Sequence, residues 1–213
     1  MPIANPYFLN AKLCNYLVLS RIATRHLSRT LTPLLLAFQR HGMPSEELCA
    51  RLDPFFGQLP NDFNYAVEIR NAGLLGSLYR ETLETHGIAH VYNHWSYMPS
   101  LAEQHQCLER FTAPFTVLRL LTPLKMSYEA AKARAEPYNK IVGELPEMRR
   151  DTIELVKKAM ADKRQAYVVV NNRSEGNAPL TIQALIKTLQ GKRERTVTTV
   201  GEAYGTAEEA TAP

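Results

Sequence analysis

The stretch Ala166-Tyr-Val-Val-Val-Asn-Asn-Arg-Ser-Glu-Gly-Asn-Ala-Pro179 carries the transition on which the fold turns. Tyr167 to Val170 are β-formers, and a short apolar run bounded by turn residues predicts a strand buried on both faces. The run stops at Asn171, Asn172 and Arg173. Gly176 and Asn177 predict a turn, with Asn177 capping a helix that starts near Pro179. Ile182, Leu185, Ile186 and Leu189 follow at spacings i, i+3, i+4 and i+7, which predict one inward apolar face. Polar groups thus gather where a buried strand ends and a helix begins, the edge at which α/β folds bind ligands.

The same alternation extends upstream. Strands are predicted near residues 34–39, 65–70, 89–94, 115–121 and 166–171. Between them, a helix starts at Ser45 and is interrupted at Pro54, and a second closes at Gly87. A third runs from about Ser100 to Phe111, and a fourth is capped by Ser127 and terminated by Pro137. In the fifth, Asp151 and Glu154 resemble a capping box, with Ile153, Val156 and Met160 facing inward. Five strands alternating with helices predict βα units and a parallel sheet. Residues 1–33 read as an irregular N-terminal segment with a basic cluster, Arg21, Arg25, His26 and Arg29. Residues 34–190 form the α/β domain, and the Thr-, Ala- and Glu-rich residues 191–213 read as a disordered tail.

Composition bounds the partners. The 213 residues suit one domain, and 45% hydrophobic content suffices for a core. A net charge of +4 fits an anionic ligand or nucleic acid, and equally a merely soluble surface. Cys14, Cys49 and Cys107 are odd in number and far apart, with no Cys-x-x-Cys. This excludes a zinc knuckle and points to a reducing, cytoplasmic setting. No signal-peptide pattern opens the chain, and the apolar run Leu31 to Phe38, broken by Pro33, is too short to span a membrane.

Each predicted strand finishes in functional side chains. The first gives Gln39 and His41, and the second Glu68 and Arg70. The third gives Asn93 and His94 with Trp95 beside them, the fourth Arg119, and the fifth Asn171, Asn172 and Arg173. Residues two apart on a strand share a face, so Glu68 and Arg70 point together. Two charges there either brace the core as a pair or meet a ligand. His90 and His94 lie about 13 Å apart on a regular strand, at about 3.3 Å per residue, and cannot share an ion. His94 is the site candidate and His90 a core or rim histidine. Gln39 and Asn171 offer uncharged donors and acceptors suited to hydroxyls or phosphate oxygens. Glu68, His94 and His41 form an alternative divalent-metal set.

Phe38-Gln39, Val67-Glu-Ile-Arg70, Asn93-His94-Trp95, Leu118-Arg119-Leu120, Val170-Asn-Asn-Arg173 and Gly176-Asn-Ala-Pro179 together resemble the domain-of-unknown-function 72, or YecE-like, family. The order and spacing match over about residues 34–190. The resemblance implies a TIM-barrel-like (β/α) fold with polar residues gathered at its C-terminal mouth. It brings no settled activity and no known cofactor. The family's opening strands lack counterparts in residues 1–33, which implies an incomplete barrel corresponding to the C-terminal part of a member. Asn93 stands where the family usually carries an acid.

Three functional readings follow. In the first, the protein is an enzyme acting on a phosphorylated or sugar-like substrate. Glu68 and His94 are then catalytic, and Gln39, Arg70, Asn93, Arg119, Asn171, Asn172 and Arg173 bind substrate. The loop Asn172–Asn177 and the helix after it either bind phosphate or form an ordinary capped turn. The second reading is a nucleic-acid-binding, endonuclease-like barrel, and the third an inactive truncated member.

Overall fold

In the computed structural model, the described residues are 17–21, 34–38 and 43–197, with side chains described for 43–191. The order is β1 (Leu17–Arg21), β2 (Leu34–Phe38), α1 (Ser45–Phe56), β3 (Tyr65–Ile69), α2 (Ser77–Thr85), β4 (Ala89–His94), α3 (Leu101–Leu108), β5 (Phe115–Leu120), α4 (Tyr128–Ala135), α5 (Pro146–Ala161), β6 (Gln165–Val170), α6 (Asn172–Glu175) and α7 (Ala178–Val197). The strands form one sheet in sequence order. β2 through β6 run parallel, as the alternation with helices requires. β1 pairs antiparallel with β2, so the segment expected to be irregular holds a strand, which includes Arg21. Gln39, His41, Arg25, His26 and Arg29 lie outside the described residues.

The two faces of the sheet differ in kind. Tyr65, Val67, Ile69, Tyr92, Leu118 and Leu120 pack with Leu52, Tyr79, Leu101, Met148 and Leu185 from the helices in the larger core cluster. Alternate residues Ala66, Ala89, Val91, Phe115 and Val117 form a second cluster on the opposite face, with Tyr167 against it. This strict alternation is the period of two that strands impose.

Several local expectations are corrected. α1 runs through Pro54, which sits in its last turn. α5 begins at Pro146, where proline suits the first turn, and not at Asp151. Asp151 is buried and accepts from the backbone N–H of Ala102 at 3.3 Å, serving the start of α3 instead. Met160 is exposed. β6 is only partly buried along its apolar run, because among the described residues it is the edge strand of the sheet and pairs with β5 alone. On α7, Leu185 is buried and Leu189 packs on the core, whereas Ile182 and Ile186 are exposed. That helix also continues through Gly191 to Val197. No helix among the described residues is long and apolar enough to cross a membrane.

Candidate functional site

At the C-terminal edge of β3, Glu68 and Arg70 project to the face of the smaller cluster, by their alternation with Ala66. Glu68 is fully buried. Its Oε1 accepts from Arg70 Nε at 2.9 Å, and its Oε2 accepts from Arg119 Nη1, which reaches across from β5. The guanidinium-bearing side chains of Arg70 and Arg119 are 22% and 20% exposed. The site therefore holds two positive charges and one negative charge, with the negative charge at the bottom. Arg70 lies over the Trp95 ring at 5.1 Å, and Trp95 meets exposed Tyr97 edge-on at 5.2 Å between centroids. Cation–π contact and ion pair together fix the Arg70 guanidinium.

Asn93 joins this face through the register Asn93↔Arg119. The β3–β4 ladder has two registered pairs, Ala66↔Ala89 and Val67↔His90, and ends there. Beyond it, side-chain amides stand in for the missing ladder. Gln104 Oε1 accepts from Asn93 N at 3.2 Å, and Gln104 Nε2 donates to Asn93 O at 2.8 Å. Asn93 Nδ2 donates to the Ile69 carbonyl at 2.8 Å, which ties β4 back to β3. A primary amide imitates a peptide group, so Asn93 N, Asn93 O and the Ile69 carbonyl keep partners. The strands part beside Glu68, and Gln104, which no sequence signal singled out, holds the gap.

His94 does not join Glu68. It alternates with Asn93, and its Nδ1 donates to the Thr122 carbonyl at 2.9 Å. Burial holds its pKa below the ordinary imidazole value, against the Thr122 carbonyl and the charges of Asp151 and Glu175, which act to raise it. The metal set Glu68, His94 and His41 is corrected on this geometry: Glu68 is engaged by two arginines, and His94 belongs to the other face. Among the described residues, no cluster of three or more His, Cys, Asp or Glu side chains is arranged to hold a metal. His90 is a core histidine. Its Nδ1 accepts from Tyr79 Oη at 3.1 Å and its Nε2 faces Gln104 Oε1 at 3.4 Å. Burial lowers its pKa to about 3.

The loop after β6 is a capped turn. Asn171 Oδ1 accepts from Arg173 N at 3.0 Å, Asn172 Oδ1 from Ala178 N at 2.8 Å, and Asn177 Oδ1 from Leu180 N at 2.9 Å. Thr181 N reaches the Asn177 carbonyl, so the N–H groups that a phosphate needs at the start of α7 are already engaged. Gly176 has φ +113°, and a Cβ there would lie 2.4 Å from the Lys140 carbonyl oxygen. Its missing side chain admits the Lys140–Val142 segment rather than an anion. Glu175 does not point to solvent. It is fully buried and accepts from Leu145 N at 2.6 Å, from Arg149 Nε and Nη2 at 3.1 and 2.9 Å, and from Thr181 Oγ1 at 2.8 Å. Arg173 lies over the Tyr128 ring at 4.5 Å.

No curated protein matches this chain. Two solved structures share the fold: a DUF72 family protein from Thermotoga maritima MSB8, with TM-score 0.52 and 19% identity, and one from Enterococcus faecalis V583, with TM-score 0.56 and 17% identity. The match covers 73% and 74% of this chain but 57% and 58% of those chains, so it spans less than two thirds of their length. The model of the family described as "Protein of unknown function DUF72" matches residues 12–204, nearly the whole sequence, and the chain belongs to that family.

Proposed function

We propose that this chain binds an anionic small molecule, phosphorylated or sugar-like, at the C-terminal edge of β3–β5, and that β2–β6 form part of a TIM-barrel-like wall. Strand order supports the architecture. A doubly wound sheet reverses its order and carries helices on both faces, whereas β2–β6 run in sequence with helices packed on one face. One observation carries the ligand: a buried carboxylate binds the guanidiniums of two arginines whose side chains are partly exposed. Guanidinium forks match phosphate and carboxylate oxygens in pairs. Because both Glu68 oxygens are bound to arginine, Glu68 acts as a positioning residue and not as a general base. Calorimetric titration with inorganic phosphate and a sugar phosphate tests this. The wild type should bind, and Arg119→Ala should weaken binding at least tenfold. Absence of binding, or an unchanged Arg119→Ala variant, overturns the reading.

A second reading rests on Tyr97, which is 67% exposed beside Trp95 and Arg70. Such an aromatic platform next to a guanidinium suits a stacked nucleobase. Labelled single-stranded DNA whose affinity falls steeply with salt, and falls again in Tyr97→Ala, is the outcome that favours it.

A further inference from the structure

We infer that the site selects a hydroxyl-bearing anion, and that Asn93 Oδ1 with Arg119 Nε is the hydroxyl slot; this rests on the anion-binding reading above. Asn93 is fully buried, and its amide orientation is set by the structure. Nδ2 must face the Ile69 carbonyl, since the flipped amide would place two oxygens against each other. Oδ1 is thereby turned away from β3, and it has no hydrogen-bond partner among the described residues. Arg119 Nε is also buried and without a partner among the described residues, although Nη1 of the same side chain holds Glu68. The two orphans sit at registered positions on neighbouring strands, whose backbones run about 4.8 Å apart.

One orphan is an acceptor and the other a donor. A hydroxyl satisfies both at once, donating to Oδ1 and accepting from Nε–H. A carboxylate or a phosphate-ester dianion cannot, because its oxygens only accept and would face Oδ1 with like polarity. A buried polar atom left unpaired costs free energy, and a ligand that completes the pair recovers it. The Arg119 guanidinium belongs to the slot and to the anion clamp alike. The hydroxyl therefore lies on a carbon next to, or one removed from, the anionic group. This describes polyol phosphates and hydroxy acids. Gln104 contributes as a positioning residue, holding Asn93 by its backbone N and O.

The decisive pair of probes is glycerol 1-phosphate and 1-propyl phosphate, which share the charge and the carbon chain and differ in hydroxyls. Titrated against the wild-type chain, glycerol phosphate should bind about tenfold or more tightly, about 1.4 kcal/mol. Asn93→Leu should bring the two esters within about twofold of each other. Equal affinities in the wild type overturn the hydroxyl slot and leave the anion clamp standing. So does a preference that survives in a folded Asn93→Leu variant. If neither ester nor inorganic phosphate binds, the anion clamp itself fails, and the slot with it. The wild-type comparison decides the question even if the variant does not fold.

Discussion

Two buried carboxylates show how residue type alone leaves a role open. Glu68 and Glu175 are each fully buried and each bound to arginine. Around Glu68 the arginine side chains retain an exposed side, whereas Glu175 also accepts from a backbone N–H and a hydroxyl and knits α5, α6 and α7 together. Glu175→Ala leaves Arg149 with the exposed Glu144 alone and strands Leu145 N, and an unsatisfied buried donor together with a lost charged hydrogen bond costs about 2–4 kcal/mol. Urea unfolding of Glu175→Ala should show a loss of this size. Arg70→Ala leaves the buried Glu68 carboxylate paired with Arg119 and strands no backbone group, so it should cost less stability. Gly176→Ala combines a left-handed backbone with a contact no Cβ tolerates. It should lose about 1–3 kcal/mol from strain alone and lower the thermal midpoint. An unchanged midpoint would mean that the Lys140–Val142 segment moves aside freely.

At the scale of elements, β4 carries two different sets of side chains on its two faces. Asn93 faces the candidate site, while His90, Tyr92 and His94 face the helices. Tyr92 Oη bonds His105 Nδ1 at 2.8 Å, next to the Tyr79–His90–Gln104 chain. Burial holds His90 at about 3 and lowers His105 to about 4, helped there by Lys158, so both are neutral in the folded protein. Unfolded histidines titrate near 6.5. Between that value and the folded values, the unfolded chain binds more protons, so stability falls as pH falls from 6.5 toward 4. His90 alone contributes a slope approaching about 1.4 kcal/mol per pH unit. Chemical denaturation at pH 7 and pH 5 should show this loss, and His90→Phe should flatten the slope by up to one proton. A stability that holds constant over that range contradicts neutral buried histidines.

For the whole molecule, the outstanding feature lies at the far edge of the sheet. Among the described residues, β6 has an unpaired side, and Leu180, Ile182 and Ile186 of the adjoining α7 are exposed. An open strand edge beside exposed aliphatic residues is a site for self-association. The double variant Ile182→Lys, Ile186→Glu should reduce concentration-dependent association in light scattering. It should alter unfolding free energy by no more than about 0.5 kcal/mol per site, as surface changes do. If association persists unchanged, these side chains are not the contact.

What the sequence determined by itself was the periodic part. Apolar runs between turn residues located β2 to β6, the β/α alternation made them parallel, and the period of two aligned Glu68 with Arg70. These follow from local chemistry and hold wherever the chain lies. The tertiary structure decided burial and partnership. Tyr167 to Val170 read as a buried strand because the run is apolar on both faces, yet among the described residues that strand has one neighbour and is only partly buried. Ile182 and Ile186 fit an inward stripe by spacing, but α7 turns only Leu185 and Leu189 to the core. Gly176 and the asparagines read alike as an anion loop or a capped turn, and the approach of Lys140–Val142 chose the turn. Gln104 carried no signal, because a glutamine becomes a substitute backbone only where two particular strands part.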